Sequence, residues 1–322
     1  MQPLISIQDV QKRFNLEAGF FSPMGRYVYA VNGLSLNIGD NESYGLVGES
    51  GCGKTTTARL LVKMYNYDGG TILYRGEELG TFKKKQLRQY RQKVKYVFQD
   101  PARSLNPRMD IFNVLISGRR WGIRGEDDKQ LKEKAAAILE EVGLSANDLE
   151  RRPADFSGGQ RQRISIARGL LMEPELLICD EVVSALDVSI QAQILNLLME
   201  LRRSRKLSFL FIAHDLTVAS WFCDTIGVMY RGFLVEEAPA ADLFRNAAHP
   251  YTKLLFSAHN NQSVNTATAA KGEAHSVLEE INACAFADRC PQAEERCFRE
   301  KPELKQTIPG RRLRCFKEIK DD

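Results

Sequence analysis

The sequence predicts an α/β fold with an antiparallel β portion, a helical insert and a small cysteine-containing extension at its C-terminal end. Two observations support this prediction. A glycine-rich loop lies between a short apolar run and a helix-like segment, and further strand-length apolar runs alternate with helical periodicity downstream. At 322 residues the chain is long enough for a full hydrophobic core, so we expect one large unit with an appendage.

Charge and apolar patterning exclude several classes of protein. The net charge is only +4, and basic and acidic residues are interspersed, which does not indicate nucleic-acid binding. The longest apolar run, Leu207 to Ala213, is far shorter than the ~18 residues of a membrane span. The first four residues do not begin a basic and then apolar leader, so we expect a cytoplasmic chain whose membrane contacts depend on a partner.

Residues 4 to 47 predict antiparallel strands before the glycine-rich loop. Strand-like segments cover Leu4–Val10, Tyr27–Val31 and Leu34–Ile38, and Asn32-Gly33 and Gly39-Asp40 are the predicted turns between and after them.

The glycine-rich loop fits the pattern G-x-x-x-x-G-K-[ST] with a strand before it and a helix after it. The strand is Tyr44–Val47, and the helix starts around Thr56 and continues to Val62. Glycines let successive N–H groups turn inward, and the helix dipole adds positive potential, so the loop predicts a nucleoside triphosphate site. We expect Lys54 to reach the β and γ phosphates and Thr55 to bind Mg²⁺. The loop residues are Gly48, Glu49, Ser50, Gly51, Cys52, Gly53, Lys54 and Thr55.

An aromatic side chain near the end of the first strand is a candidate for stacking on an adenine ring. Phe14 is the first candidate and Tyr27 is its rival. Either ring is equally compatible with a place in the core.

The segment after the loop leads to Gln99, a second candidate ligand of Mg²⁺. A strand at Thr71–Tyr74, a basic helix at Lys83–Lys93 and a strand at Val94–Phe98 are predicted before Gln99. The Gln99 carbonyl is placed to touch Mg²⁺. Residues 102 to 153 then show helical periodicity alone, in Ile111–Ser117 and in Asp127–Gly143, which predicts a helical insert.

Two later segments predict further polar groups around a nucleotide. Ser157, Gly158, Gly159 and Gln160 form a capped, glycine-bearing helix start that predicts a second anion site. The segment Glu175–Glu181 predicts a buried strand that delivers two carboxylates at its C-terminal end. Asp180 is suited to Mg²⁺, and Glu181 is suited to deprotonating the attacking water. A strand at Ser208–Ile212 leads to His214, a candidate partner of the γ phosphate.

Four of the seven cysteines lie in the last forty residues, after a polar stretch at Asn260–Ala274 that is predicted to be a linker. Their spacing is C-x5-C-x6-C-x17-C, in Cys284, Cys290, Cys297 and Cys315. In a cytoplasmic protein such a set favours a metal centre over disulfides. The C-x2-C pairs typical of zinc are missing, and a four-cysteine iron–sulfur cluster tolerates wider spacing. Zinc and free or paired thiols remain the alternatives.

Taken together, the segments GESGCGKTT, Gln99, FSGGQ, LLICDE, SALD and His214 resemble the ATP-binding cassette (ABC) transporter ATPases over residues 4 to 245. The resemblance implies a P-loop NTPase core of the RecA-like type in a domain spanning 1–245, with a helical subdomain at about 102–172. It also implies a head-to-tail dimer in which ATP contacts the loop of one subunit and the Ser157–Gln160 turn of the other. Glu181 would drive hydrolysis with support from His214.

Finer features resemble the oligopeptide/dipeptide permease ATPases. They are FQDPARSLNPRM, VSALDVSIQAQIL, IAHDLTVA and His249-Pro250-Tyr251-Thr252, and SLNPR is similar to the second of the two non-identical ATPase subunits. The resemblance implies a C-terminal extension at 246–322 with a [4Fe–4S] cluster. It implies as partners a second ATPase subunit, two membrane permease subunits and an extracytoplasmic peptide-binding protein, with the chain on the cytoplasmic face of the membrane.

Two departures and several alternatives accompany this resemblance. Val182 stands where proline is usual, and Phe156 stands where leucine is commoner, but neither change removes a reactive group. A non-transport ABC ATPase acting in translation, repair or cofactor assembly is the rival function. Nickel and glutathione are rival cargoes.

Overall fold

The computed structural model describes residues 2–16, 27–120, 127–184, 186–259 and 280–317. The chain divides into two compact units, the first made of residues 1–80 and 211–322 and the second of residues 81–210. The predicted linker and Ala185 of the SALD turn lie outside the described residues.

The first unit contains an antiparallel sheet, as predicted for the N-terminal portion. Its strand order is β2-β1-β4-β5. Ile5 and Ile7 are buried on one face of the first strand. A register shift between Ile7 and Val10 allows Val10, three residues further on, to be buried as well. The four strands are β1 (Ile5–Asn15), β2 (Tyr27–Ile38), β4 (Gly69–Tyr74) and β5 (Glu77–Glu78).

The turn predicted at Asn32-Gly33 is wrong, because β2 runs through both residues. Gly33 has a φ of +71°, and the pairing with β1 shifts register beside it. The Asn32 side chain donates to the Arg231 carbonyl at 2.9 Å, and its backbone N–H donates to Gly232 O at 2.9 Å. The pair therefore marks an irregularity within a strand that is held from outside the sheet.

Five further strands of the first unit follow the order β11-β12-β10-β9-β3. The last strand in this order, β3, is buried at every position and pairs in parallel with β9, as a continuous apolar run predicts. These strands are β3 (Ser43–Val47), β9 (Thr225–Tyr230), β10 (Phe233–Pro239), β11 (Lys305–Ile308) and β12 (Arg311–Leu313). The helices of this unit are α1 (Lys54–Leu61), α8 (Leu216–Phe222), α9 (Ala240–Arg245) and α10 (Pro250–His259).

The second unit contains the parallel pair β6 (Val94–Val97) and β7 (Leu176–Asp180). The boundary between the units falls inside β8 (Ser208–Ala213), which is buried throughout. The helices of this unit are α2 (Lys84–Lys93), α3 (Pro101–Ser104), α4 (Ile111–Arg120), α5 (Asp128–Glu141), α6 (Gly158–Leu170) and α7 (Val188–Arg205).

The helical character predicted for residues 102 to 153 is confirmed in the part that the structure describes, where residues 101–120 and 127–153 contain no strand. Its second long helix, α5, buries Leu131, Ala135, Ile138 and Leu139, the apolar positions at three- and four-residue spacing. Within the described ranges, no helix is both long enough and apolar enough to cross a membrane.

Candidate nucleotide-binding and catalytic residues

The glycine-rich loop joins β3 to α1 in the first unit, and at two of its positions no residue larger than glycine fits. Gly48 has a φ of +152°, and a Cβ there would lie 2.2 Å from the Met229 carbonyl oxygen. Gly53, the N-cap of α1, has a φ of +108°, and its Cβ would lie 2.2 Å from the Ala30 carbonyl oxygen. Backbone strain and close approach both require glycine here, as the sequence predicts.

Lys54 is buried at the start of α1, and its ammonium is directed back into the loop. Its Nζ donates to the carbonyl oxygens of Gly48 at 2.7 Å and Glu49 at 2.9 Å. Cys52 is also buried, and this burial raises the pKa of its thiol. The Lys54 ammonium is thus hydrogen-bonded to carbonyl groups of the loop itself.

The remaining loop positions differ in exposure. Ser50 and Gly51 at the loop tip are exposed, whereas Thr55 and Thr56 on the first turn of α1 are half-buried. The Thr57 hydroxyl donates to Gly53 O at 3.1 Å, which ties the first turn to the loop. Thr55 therefore lies next to Lys54 on the first turn of a helix whose start is hydrogen-bonded to the loop.

Glu49 makes contacts that sequence reasoning missed. Its backbone N–H donates to the Tyr251 hydroxyl at 2.9 Å, and its carboxylate pairs with Arg289 at 3.0 Å. Tyr251 belongs to the His-Pro-Tyr segment, and Arg289 lies between two of the C-terminal cysteines. No local pattern reports contacts across 202 and 240 residues of chain.

The two adenine-stacking candidates are both half-buried. Phe14 packs edge-on against Tyr65, with ring centroids 5.1 Å apart, and Lys12 Nζ lies 5.2 Å from the Phe14 ring. The Arg13 guanidinium lies 4.6 Å from the Tyr27 ring centroid. Stacking on adenine stays a prediction for either residue.

In the second unit, Asp180 and Glu181 follow one another but have different surroundings. Asp180 is buried at the end of β7 and accepts a hydrogen bond from the Tyr96 hydroxyl, a contact that the sequence did not indicate. Glu181 is half-buried and has a φ of +49°, which turns the chain sharply after the strand. Its Oε2 accepts a hydrogen bond of 2.8 Å from the Gln99 amide. The structure thus brings Gln99 and Glu181 together.

The predicted N-cap of α6 is confirmed. Ser157 Oγ accepts from the Gln160 N–H at 3.3 Å, and Gln160 Oε1 accepts from the Ser157 N–H at 3.0 Å, which makes a capping box. Ser157 and Gln160 are exposed, and Gly158 and Gly159 between them are half-buried. Phe156 and Val182, the two departures from the family pattern, are both buried.

His214 is exposed directly after β8 in the first unit. Its neighbour Asp215 caps α8 by accepting from the Thr217 N–H at 2.7 Å, so the chain at His214 is fixed by the helix start that follows.

The four C-terminal cysteines are free thiols that line one small cavity in the first unit, together with Phe286 and Phe316. Burial, followed by the neighbouring thiols, raises the pKa of Cys284 to about 11. Among the residues that the structure describes, no three His, Cys, Asp or Glu side chains are close enough to hold one metal ion. The four cysteines thus line the same cavity, but the part of the chain that the structure describes shows no site for a single metal ion.

Comparison with known proteins adds a second line of evidence. Residues 31–184 match a protein family described as "ABC transporter". Residues 235–297 match a second family, described as "Oligopeptide/dipeptide transporter, C-terminal region". The dipeptide transport ATP-binding protein DppF of Escherichia coli is 39% identical over 100% of this chain and 96% of its own length. The oligopeptide transport ATP-binding protein OppF of Bacillus subtilis is 47% identical over 76% of this chain and 80% of its own.

Solved structures agree on the fold. A dimeric structure of the ABC transporter cassette MJ0796 matches with a TM-score of 0.65 and 24% identity, over 73% of this chain and 98% of that one. CbiO1 from Clostridium perfringens matches with a TM-score of 0.66 and 22% identity, over 76% of this chain and 92% of that one.

The fold and the phosphate-binding loop define an α/β ATPase of the P-loop class. Within that class the chain belongs to the ABC transporter family, among the oligopeptide and dipeptide transport ATP-binding proteins. It is an ATPase that uses ATP and Mg²⁺, as this family does.

Proposed function

We propose that this chain is the ATP-hydrolysing subunit of a peptide importer. The observation that supports this most strongly is that one chain joins an ABC ATPase region to the C-terminal region of oligopeptide/dipeptide transporters. Relatives that match nearly its whole length are named for oligopeptide and dipeptide transport. We place the ATPase domain at 1–245 and the extension at 246–322.

For ATP, we propose that the Gly48–Thr55 loop and Thr56 bind the phosphates and that Phe14 stacks on the adenine. Backbone N–H groups at a helix start, together with a buried lysine, are the groups that polyphosphates favour. Lys54 would exchange its bonds to the Gly48 and Glu49 carbonyls for bonds to phosphate oxygens.

For Mg²⁺, we propose Thr55, Gln99 and Asp180 as protein ligands. Hydroxyl, amide and carboxylate oxygens are hard donors that suit this ion, and burial of Asp180 favours a fixed position for its carboxylate. When bound, Mg²⁺ neutralises charge on the phosphates during transfer to water.

For hydrolysis, we propose Glu181 as the general base that orients and deprotonates the attacking water. Its contact with the Gln99 amide holds the carboxylate, while Asp180 is engaged by Tyr96, so the two acids have separate partners. We assign His214 a supporting hydrogen bond to the γ phosphate. Its exposed position after β8 leaves the ring accessible to a ligand.

We propose that a second ATPase subunit completes the site. The Ser157, Gly158, Gly159 and Gln160 turn is a helix start with two exposed polar side chains, and it would bind the γ phosphate of ATP held by the neighbouring subunit. The SLNPR sequence favours a non-identical partner, hence a heterodimer.

We propose that two membrane permease subunits and an extracytoplasmic peptide-binding protein complete the importer. In the described ranges the chain has no helix that could span a bilayer, so its place at the cytoplasmic face of the membrane would depend on these permease subunits. The helical insert and the Gln99 loop are the segments that we assign to contact them.

We further propose that Cys284, Cys290, Cys297 and Cys315 hold a [4Fe–4S] cluster. The four free thiols line a single cavity. Their wide spacing, without the C-x2-C pairs typical of zinc, is the feature that favours a cluster over zinc. When bound, such a cluster can carry one electron.

Purification of the tagged chain from native membranes tests the transport role. We expect two multi-spanning permease proteins and a second ATPase subunit in the eluate, and ATP turnover that rises with peptide-loaded binding protein. Recovery of ribosomes or DNA without a permease would favour the rival, a non-transport ABC ATPase. Stimulation of ATP turnover by nickel or glutathione in place of peptides would identify that compound, and not a peptide, as the cargo.

A further inference from the structure

Glu49 of the phosphate-binding loop is held by two residues that lie far along the chain. Both Arg289 terminal nitrogens donate to its carboxylate, Nη1 to Oε2 and Nη2 to Oε1, each at 3.0 Å. The Tyr251 hydroxyl accepts the Glu49 backbone N–H at 2.9 Å. Such a paired, parallel contact fixes the direction of the carboxylate as well as its charge.

Aromatic packing fixes the position of Arg289. Its guanidinium carbon lies 5.7 Å from the Tyr230 ring centroid and 5.9 Å from that of Phe286. The Phe286 ring also packs on Tyr251, with centroids 5.4 Å apart. Only 12% of the arginine side chain is exposed. Burial alone lowers the pKa of Arg289, but its bonds to Glu49 and Tyr230 more than offset this and raise the pKa.

The cysteine-bearing segment sets the backbone at Arg289. The Ala287 N–H donates to the Cys284 carbonyl at 3.0 Å, and the Arg289 N–H donates to Phe286 O at 3.1 Å. The Cys290 N–H then closes the same turn on the Ala287 carbonyl at 3.2 Å. Arg289 is therefore part of a short 3-10 turn with a cavity-lining cysteine at each side.

We propose that Arg289 is a positioning residue for ATP binding, through which the folded cysteine segment sets the affinity of the phosphate-binding loop. The carboxylate of Glu49 lies within the loop that we assign to the phosphates, so without its arginine it would repel them. With Arg289 and Tyr251 in place, the Glu49 carboxylate is bound by Arg289 and the Glu49 N–H is bound by the Tyr251 hydroxyl. This inference depends on the proposed nucleotide site.

Arg289→Ala tests the proposal in the full-length chain. We expect the Kd for ATP, measured by isothermal titration, to rise about tenfold. We expect kcat of the purified complex at saturating ATP to stay within about twofold, because the proposed catalytic base is untouched. Arg299→Ala is the matched control, since Arg299 lies on the same segment and pairs with Glu295 at an exposed position. Its Kd should equal that of the wild type.

A double-mutant cycle separates positioning from general folding effects. With Glu49→Gln in place, removal of Arg289 should change the Kd by less than about twofold, because no carboxylate remains to be neutralised. If Arg289→Ala does not fold, Arg289→Lys replaces it, and loss of the paired contact should still raise the Kd about threefold.

Three results would overturn the inference. They are an unchanged Kd in folded Arg289→Ala, an unchanged Kd in Arg289→Lys where that variant is used, and an equal loss in the Glu49→Gln background. Failure of the wild-type chain to bind ATP is a different outcome, since it would refute the proposed nucleotide site itself.

Discussion

The side-chain amide of Gln99 donates a hydrogen bond of 2.8 Å to the carboxylate of Glu181. The same amide lies 3.4 Å from the Ser184 hydroxyl, which in turn donates to the Glu181 carbonyl at 2.9 Å. Glu181 is thus held through its side chain and its backbone. This is the kind of fixed orientation that a general base needs.

Replacement of Glu181 by glutamine should separate ATP binding from hydrolysis. The amide can keep a polar contact with Gln99 but cannot accept a proton from water, so we expect turnover to fall by on the order of 10² or more with ATP binding retained. Phosphate release by the purified complex is the measurement. Glu150→Gln, at an exposed carboxylate paired with Lys132, is the control. Undiminished turnover in Glu181→Gln would refute the role.

Gly48→Ala should damage the phosphate-binding loop. A methyl group would lie 2.2 Å from a backbone carbonyl oxygen at a φ that alanine rarely adopts, so we expect about 3 kcal/mol or more of lost stability and loss of ATP binding. Gly118→Ala is the control, because nothing lies within 4 Å of the added Cβ and the residue is in α4. That change should be neutral or stabilising by up to about 1 kcal/mol. Equal unfolding free energies for the two variants would contradict this account.

The proposed cluster predicts colour. The wild-type chain purified without oxygen should absorb at roughly 400 nm, where iron–sulfur thiolate charge transfer lies, and the Cys284→Ser, Cys290→Ser double variant should lose this band. Cys223→Ala, at a buried thiol outside the four, should keep it. A colourless wild-type protein with no iron would count against the cluster.

His249 predicts a pH dependence of stability. Its ring is buried, and this burial lowers its pKa from 6.5 to about 4, while Nδ1 accepts the Tyr251 N–H at 3.1 Å. Between these two values the unfolded chain takes up a proton that the folded chain does not. The contribution of His249 is therefore complete above about pH 6.5 and is lost as the pH falls toward 4.

Urea unfolding of wild type and His249→Gln at pH 7.5 and pH 5 measures this effect as a difference. Glu236 lies nearby, and its burial raises its pKa, which gives the opposite slope, but it is present in both proteins and cancels. We expect the wild type to lose more stability than the variant on acidification. Equal losses would show that His249 does not titrate in this way.

Local patterns predicted most of the elements because their physical causes are local. The glycine-rich loop with β3 and α1, the Ser157 cap and the buried strand before Asp180 all follow from neighbouring residues. The turn at Asn32-Gly33 was wrong because contacts with Arg231 and Gly232 hold these residues within β2. A partner so distant in the chain overrides the local preference of Asn-Gly for a turn.

The contacts around the candidate site are the part that the sequence could not show. Tyr96 and Asp180 meet because their parallel strands are neighbours, and Arg289 reaches Glu49 across 240 residues of chain. Each of these pairings depends on strand order and packing, which single-sequence periodicity does not encode.

Peptide-stimulated ATP turnover by the complex purified from membranes tests the central claim most directly. We predict that turnover rises when peptide-loaded binding protein is added, and that Glu181→Gln in this chain removes most of the increase. If neither the peptide-loaded binding protein nor the Glu181 substitution changes ATP turnover, the assignment of this chain as the energy-coupling subunit of a peptide importer is contradicted.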